Sequence, residues 1–313
     1  MALINNNIEK KNIHRFTHKA MATLYEILIE YDDKSYAEQA AKAAFDEVDR
    51  LEEELSRFLP NSEISKINNL ESGEQLFLSE DTFECLSQAQ RLFDITDGAF
   101  DITLGNYKEN WGKEDFQGND EQIPINQKFK LNEIEHTITV LDENLNIDLG
   151  GLGKGYALDK VCELLLEWDI ENAFIHGGGS SVKAIGSLSN YQGWPITISN
   201  PENIQQVLAD ILVKEFSISA SGMKKGEHIF DPHLGLPVTK RNAAWTIANS
   251  AAVSDALSTA FMIMDIDSIL ELCKRNDDIS AMVIENGKPE LTKDNLIISD
   301  GFKAVEIIKQ SYS

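Results

Sequence analysis

Residues 148–159, DLGGLGKGYALD, place four glycines and a lysine between two carboxylates, directly before an apolar run of helical character. Glycine allows backbone amides to approach a ligand closely, and the N-terminus of a helix favours a bound anion. The segment therefore indicates a phosphate site at the start of a helix. A tight strand-to-helix turn that binds nothing would have the same composition, and composition alone favours neither interpretation.

Two well-known phosphate motifs do not fit this segment. A P-loop requires Ser or Thr after its lysine, whereas Gly155 follows Lys154. The dinucleotide fingerprint GxGxxG requires a third glycine at the position that Tyr156 occupies. A phosphate bound here would have to be held in another way.

A second group of reactive side chains lies in residues 219–237, a turn-rich loop with two histidines and two lysines. His228 could act as a general base, because imidazole changes its charge near neutral pH. A loop histidine that hydrogen-bonds to backbone is the alternative. His233 follows Asp231-Pro232 in an expected turn, and we expect it at the surface.

Asp255 and Thr259 stand four residues apart, which places them on one face of an expected helix. A carboxylate and a hydroxyl one turn apart can supply two oxygen ligands to a hard cation such as magnesium. A helix-capping aspartate followed by a threonine bonded to its own backbone is the alternative. Residues 173–182, with glycines at 177–179, form a second place where backbone could meet a ligand. His176 is expected in the core, and contact with a ligand is the alternative.

The composition limits the kinds of partner that the chain can bind. Fifty-two Asp and Glu residues against 28 Lys and Arg give a formal net charge of −24, which disfavours binding to nucleic acid or anionic lipid. The three cysteines support neither a disulfide framework nor a CxxC metal site. The sequence has no signal-like start and no run long enough to span a membrane. We expect a soluble protein, either cytoplasmic or exported with its signal removed.

Helices and strands are expected without regular βαβ alternation, which predicts an α+β fold. Residues 105–135 are expected to be a surface loop, and 137–140 and 145–147 are expected to form a hairpin leading into the glycine-rich segment. Residues 1–20 are expected to be an N-terminal extension of a single domain, 21–313. The expected helices are 37–55, 62–68, a run ending at 97–98, 156–168 and 254–264, and the expected strands are 21–30, 173–175, 182–185, 195–199, 216–219, 245–248, 281–284 and 305–308.

Taken together and in this order, short segments along the chain after residue 20 resemble the FAD:protein FMN transferase family, the ApbE-type flavin transferases. The segments are Met21-Ala-Thr, Ser56-Arg-Phe, 62–68, Gly98-Ala-Phe-Asp101, Trp111-Gly112, 148–159, 177–181, Ser221-Gly222, His228-Ile-Phe-Asp-Pro232 and 255–259. The resemblance implies mixed or antiparallel sheets with packed helices in a T-fold-like architecture. It also implies transfer of FMN from FAD, as substrate, to a Ser or Thr of an acceptor protein such as a respiratory or redox subunit, with release of AMP.

The resemblance also implies roles for individual residues. His228 matches the proposed catalytic histidine, and the magnesium ligands would be Asp255, Thr259 and the Gly151 carbonyl. The flavin-binding positions would be Met21, Phe58, Ala99, Phe100, Asp101, Asp148, Lys154 and Ile229. Phe58 stands where many members have tyrosine, and Ser258 where some have a carboxylate, which would weaken cation binding. Hydrolysis of FAD to FMN and AMP, or FAD binding without chemistry, are the alternatives.

Overall fold

The computed structural model describes residues 2–3, 12–113, 123–223, 229–286, 296–304 and 307–310 of the chain. The helices are α1 Lys34–Leu55, α2 Glu63–Ile67, α3 Glu80–Ile95, α4 Gly105–Asn110, α5 Ile125–Lys128, α6 Gly153–Glu167, α7 Ala251–Ala260, α8 Ile266–Arg275 and α9 Asp300–Ala304. The strands are β1 Ala2–Leu3, β2 Ile13–Ala20, β3 Thr23–Glu30, β4 Gln75–Phe77, β5 Phe129–Asn132, β6 Thr137–Val140, β7 Ala173–Gly177, β8 Ser181–Ile185, β9 Trp194–Ser199, β10 Val207–Val213, β11 Ser217–Gly222, β12 Phe230–Asp231, β13 Leu236–Pro237, β14 Arg241–Ala248, β15 Ser280–Glu285, β16 Leu296–Ile298 and β17 Ile307–Gln310.

An eight-stranded sheet forms the centre of the fold, with the strand order β16-β15-β14-β11-β8-β7-β3-β2. Every neighbouring pair in it is antiparallel. A second sheet has the order β1-β9-β10-β17, and β4, β6 and β5 form a small third sheet. The arrangement confirms the predicted α+β class with antiparallel sheets.

The inner strands of the central sheet are buried on both faces, because their alternate side chains enter two different cores. Ile218 of β11 packs with Trp194 and other residues of β9 and β10, between the two larger sheets. On the opposite face, Ala244 of β14 packs with the apolar sides of α1, α3, α6 and α7. Three layers result, with helices, the central sheet and the second sheet stacked in that order.

Local chemistry accounts for some of the helix ends. Ser62 caps α2, since its hydroxyl accepts a hydrogen bond from the Ser65 amide at 2.9 Å. α3 ends before Asp97 and Gly98, both with positive φ. The predicted helices 156–168 and 254–264 correspond to α6 and α7, although both begin three residues earlier than expected.

Three expectations about local structure were wrong or incomplete. Within 105–135 the structure contains α4, α5 and β5 in place of a continuous loop, because Ile125 and Phe129 are buried in the core. Residues 145–147 do not pair with β6: the Ile147 amide donates to the side chain of Asn68, and β6 pairs with β4 and β5. Residues 13–20 of the expected extension form β2, which pairs with β3 along its length, so the sheet begins before residue 21.

Neither β10 nor α8 was predicted. Within the described ranges, no helix is both long and apolar enough to cross a membrane.

Candidate functional site

The site is built where α6 and α7 approach each other closely. A Cβ at Gly155 would lie 2.1 Å from the carbonyl oxygen of Ala251, so only glycine allows this contact. Asp159 of α6 accepts hydrogen bonds from the amides of Ala251 and Ala252 at 2.8 and 3.0 Å. These bonds satisfy free N–H groups at the start of α7 and fix it against α6.

The carboxylate of Asp255 lies at this junction and is almost fully buried. Its Oδ2 atom accepts from Lys154 Nζ at 3.0 Å and from the Gly155 amide at 3.3 Å. Its Oδ1 atom accepts from the Ser181 hydroxyl at 3.2 Å. Residues from the glycine-rich segment, from β8 and from α7 therefore meet at a single carboxylate.

Thr259 lies one turn further along α7, as the spacing predicts. Its hydroxyl lies 3.2 Å from the Ser221 hydroxyl, which also lies 2.9 Å from Ser258 Oγ. A Cβ at Gly151 would lie 3.4 Å from Thr259 Oγ1 and 3.3 Å from the Phe100 ring. The predicted metal ligands Gly151, Asp255 and Thr259 are thus brought together in space.

These groups line one cleft of about 520 Å³. One wall is formed by the glycine-rich segment, which includes Lys154, and by Lys108 of α4. The Gly178-Gly179 turn also lines the cleft. Ile229, a predicted flavin contact, lines it as well. The remaining residues that line the cleft are Ser180, Ser199, Asn200, Pro201, Ile204, Ala220, Ser221, Gly222, Ala243, Trp245, Asp255 and Thr259.

Asp148 helps to hold the positive charge at the cleft. Its carboxylate accepts from Lys108 Nζ at 2.8 Å and from the Gly150 amide at 2.8 Å, and Arg57 Nε lies 3.5 Å away. Burial raises the pKa of this carboxyl, but Lys108, the Gly150 amide and Arg57 outweigh burial, and the pKa lies below its ordinary value. Asp148 is therefore ionised at neutral pH, and its partners Lys108 and Gly150 line the cleft.

Four of the predicted flavin contacts are not among the residues that line this cleft: Met21, Phe58, Ala99 and Asp101. Phe58 is 79% exposed with the Arg57 guanidinium over its ring, and Met21 has positive φ and accepts a hydrogen bond from the Tyr25 hydroxyl at its sulfur. The Asp101 carboxylate is buried and accepts from the Thr103 amide and hydroxyl. Ala99 lines a different cavity. Direct contact of these residues with a flavin stays a prediction.

His228, the predicted general base, lies outside the described residues. Gly222 and Ile229, which precede and follow the segment 224–228 in the chain, both line the cleft. His176, expected in the core, lies on β7 beside Phe174, and burial lowers its pKa. Burial and the negative charges of Asp255 and Glu52 raise the pKa of the Tyr25 phenol, which stays protonated.

Sequence reasoning missed two cationic residues of the site. Arg57 lies in the recognised Ser56-Arg-Phe segment, but nothing in the sequence joins it to Asp148. Lys108 lies in a stretch expected to be a loop, and it meets Asp148 only because α4 packs beside the glycine-rich segment.

A second cavity of about 890 Å³ lies beside α8, but its charge makes it a poor site for an anion. The carboxylates that line it are Asp94, Asp97, Asp231, Asp265, Asp267 and Glu271. Arg275, one of its few cations, is paired with Glu271 at 2.9 Å. A phosphate ligand would favour the smaller cleft, where Lys108 and Lys154 supply positive charge.

Comparison with known proteins finds relatives over most of the chain. The chain is 28% identical over 265 residues to a protein of Vibrio cholerae named FAD:protein FMN transferase, with 76% of this chain and 78% of that protein covered. A protein of Haemophilus influenzae with the same name is 24% identical, with 93% and 91% covered.

Solved structures show the same fold. The flavin transferase ApbE from Vibrio cholerae superposes with a TM-score of 0.81 at 23% identity, covering 94% of this chain and 99% of that one. The ApbE protein of Thermotoga maritima also gives 0.81, at 26% identity over 94% of this chain and 99% of that one. The model of the ApbE family matches residues 21–283, and the chain therefore belongs to the ApbE family.

Proposed function

We propose that this chain transfers FMN from FAD to a Ser or Thr hydroxyl of an acceptor protein, with magnesium as the cofactor and AMP as the leaving product. The observation that carries the proposal is the convergence of Asp255, Thr259 and Lys154 on the glycine-rich segment in one cleft. The name shared by the curated relatives supports a flavin transfer from FAD to a protein.

The donor set of the cleft fits magnesium. Among the described residues, no three His, Cys, Asp or Glu side chains come together to hold a metal, so a dedicated multi-carboxylate cage is not formed there. Magnesium is commonly bound by one or two carboxylates together with waters and substrate phosphates. Asp255, the Thr259 hydroxyl and the Gly151 carbonyl would supply such a set, and all of these donors are oxygens, as a hard cation prefers.

The chain's own residues would bind and orient the pyrophosphate of FAD. Lys154 and Lys108 would place positive charge beside the pyrophosphate of FAD, and the glycines would let backbone close on it. A bound magnesium ion would neutralise charge on the phosphate oxygens as AMP departs.

The acceptor hydroxyl supplies the attacking oxygen. That oxygen forms a bond to the phosphorus of the FMN half, and the bond from this phosphorus to the oxygen bridging to AMP breaks. The hydroxyl proton passes to His228, which the family resemblance designates as the general base. Such a positioned base contributes roughly 10²–10⁴-fold to a rate.

Intact-mass analysis of an acceptor domain tests the proposal. The acceptor would be a flavin-carrying respiratory subunit, incubated with the full chain, FAD and magnesium. We expect a mass gain of one FMN and an equal amount of AMP, both abolished by a chelator. AMP formed at the same rate without any acceptor would identify a hydrolase, and bound FAD with neither product would identify a flavin-binding protein.

A further inference from the structure

Lys154 occupies an unusual position for a lysine. It is the second residue of α6, where the partial positive charge of the helix N-terminus disfavours a cation. Its ammonium donates hydrogen bonds to the Gly150 carbonyl and to Asp255 Oδ2, each at 3.0 Å. The side chain is 21% exposed and that of Asp255 is 5% exposed, so the pair is largely shielded from water.

The pairing has a consequence for a metal ion that uses Asp255. The carboxylate already accepts from Lys154, the Gly155 amide and Ser181. Two of these donors are neutral, but the ammonium carries a full charge. A divalent cation on this carboxylate would lie within a few ångströms of the ammonium, and repulsion between like charges is strong where water is largely excluded.

Lys108, the other lysine among the described residues that line the cleft, differs in its partner. Its ammonium is bound by Asp148 at 2.8 Å, and Asp148 is held in turn by the Gly150 amide. The two lysines therefore use different carboxylates, and Lys154 is the one paired with the predicted metal ligand.

We propose that Lys154 is an internal competitor for the metal at Asp255 and that it couples metal binding to pyrophosphate binding. The inference rests on the proposed function. A pyrophosphate in the cleft offers the ammonium a new anionic partner and frees the Asp255 carboxylate for the metal. By linkage, the metal then tightens pyrophosphate binding by the same factor. Lys154 thereby disfavours metal binding before FAD has entered.

Binding of Mn²⁺ to the full chain without FAD, measured by isothermal titration calorimetry, tests the competition. The variant Lys154→Met keeps the apolar stem and removes the charge. We expect it to bind Mn²⁺ about tenfold more tightly than the parent, a difference of about 1.4 kcal/mol. Lys154→Arg keeps the charge and should bind Mn²⁺ as weakly as the parent.

Two control variants remove the same charge elsewhere. Lys160→Met alters a lysine of the same helix that pairs with Glu84 and Asp81, and Lys108→Met alters the other lysine of the cleft. Neither should raise the Mn²⁺ affinity of the FAD-free protein by more than about threefold. Thermal melts would establish that each variant is folded.

The coupling is tested by repeating the titrations with saturating FAD and no acceptor. FAD supplies phosphate ligands to the metal in the parent and in Lys154→Met, so it should tighten Mn²⁺ binding in both proteins. The gain should be about tenfold larger in the parent than in Lys154→Met, because only the parent has an ammonium to withdraw. Equal gains in the two proteins would overturn the coupling.

The outcomes separate this inference from the proposed function. Equal or weaker Mn²⁺ binding by Lys154→Met, with binding abolished by Asp255→Asn, would overturn the competition and leave the metal site in place. Mn²⁺ binding that Asp255→Asn does not change would show that the metal site itself is wrong. If the parent binds no detectable Mn²⁺ while Lys154→Met does, the competition is supported, and if neither binds, it is refuted.

Discussion

Replacement of Gly155 by alanine should disrupt the junction on which the site depends. The added Cβ would lie 2.1 Å from the Ala251 carbonyl oxygen and 2.7 Å from the Ala252 amide nitrogen. Both atoms are backbone, and Asp159 holds both residues through their amides, so neither can move without moving α7. The helices must separate by about 1 Å to bring the closest contact to an acceptable distance.

The cost of that separation can be bounded. Overpacking in a core typically costs about 1–3 kcal/mol, against a gain of about 1 kcal/mol from the better helix propensity of alanine. The Gly155 amide also donates to Asp255, so the shift moves the carboxylate relative to the glycine-rich segment. Since a misplacement of about 1 Å can cost about 10²-fold in rate, we expect transfer activity to fall far more than FAD affinity.

Gly153→Ala is the matched control on the same helix. A Cβ at Gly153 has Leu149 Cβ as its nearest neighbour at 3.8 Å, an ordinary contact. Thermal unfolding and the initial rate of FMN transfer, measured on both variants, compare the two positions directly. We expect Gly155→Ala to melt a few degrees below the parent and Gly153→Ala to melt at or above it. Equal melting temperatures and equal rates for the two variants would refute the close-contact argument.

Three further outcomes are expected. Asp255→Ala should make transfer require far more magnesium, and an unchanged magnesium titration of the rate would refute its assignment as a ligand. His228→Ala should retain FAD binding, measured by flavin fluorescence, and lose transfer; transfer at the parent rate would show that another group takes the proton. The Asp148 carboxyl has a lowered pKa, so it stabilises the fold above the unfolded pKa near 3.8, and this contribution is lost as pH falls through the folded value. Asp148→Asn should therefore lower the free energy of unfolding at pH 7 by more than it does at pH 3, and an equal loss at both values in urea titrations would contradict this.

The helical part of the fold could be predicted because its signals are local. The periodic apolar residues of α1 and the Ser62 cap lie within a few residues of the structure they specify. β10 was harder to predict, because VLADILV is a short apolar run without clean alternation, and such runs fit a strand or a buried helix equally well. α8 carries a local signal at its start, the cap formed by Asp265.

One of the errors arises where a backbone group bonds to a distant residue. Residues 145–147 resemble a strand, yet the Ile147 amide bonds to Asn68, 79 positions earlier in the chain. The same distinction between local and long-range signals applies to the residues of the site. The shared face of Asp255 and Thr259 follows from helix geometry, whereas Lys154 and Asp255 are 101 residues apart and meet only through the packing of α6 on α7.

Two glycines of the glycine-rich segment have close packing contacts within the protein. Gly155 permits the contact between α6 and α7, and Gly151 leaves room for the Thr259 hydroxyl and the Phe100 ring. Because the Gly155 amide and Lys154 both bond to Asp255, the same packing that joins the helices also orients the carboxylate. In a chain with a net charge of −24, this places two lysines and one oriented carboxylate together at one cleft.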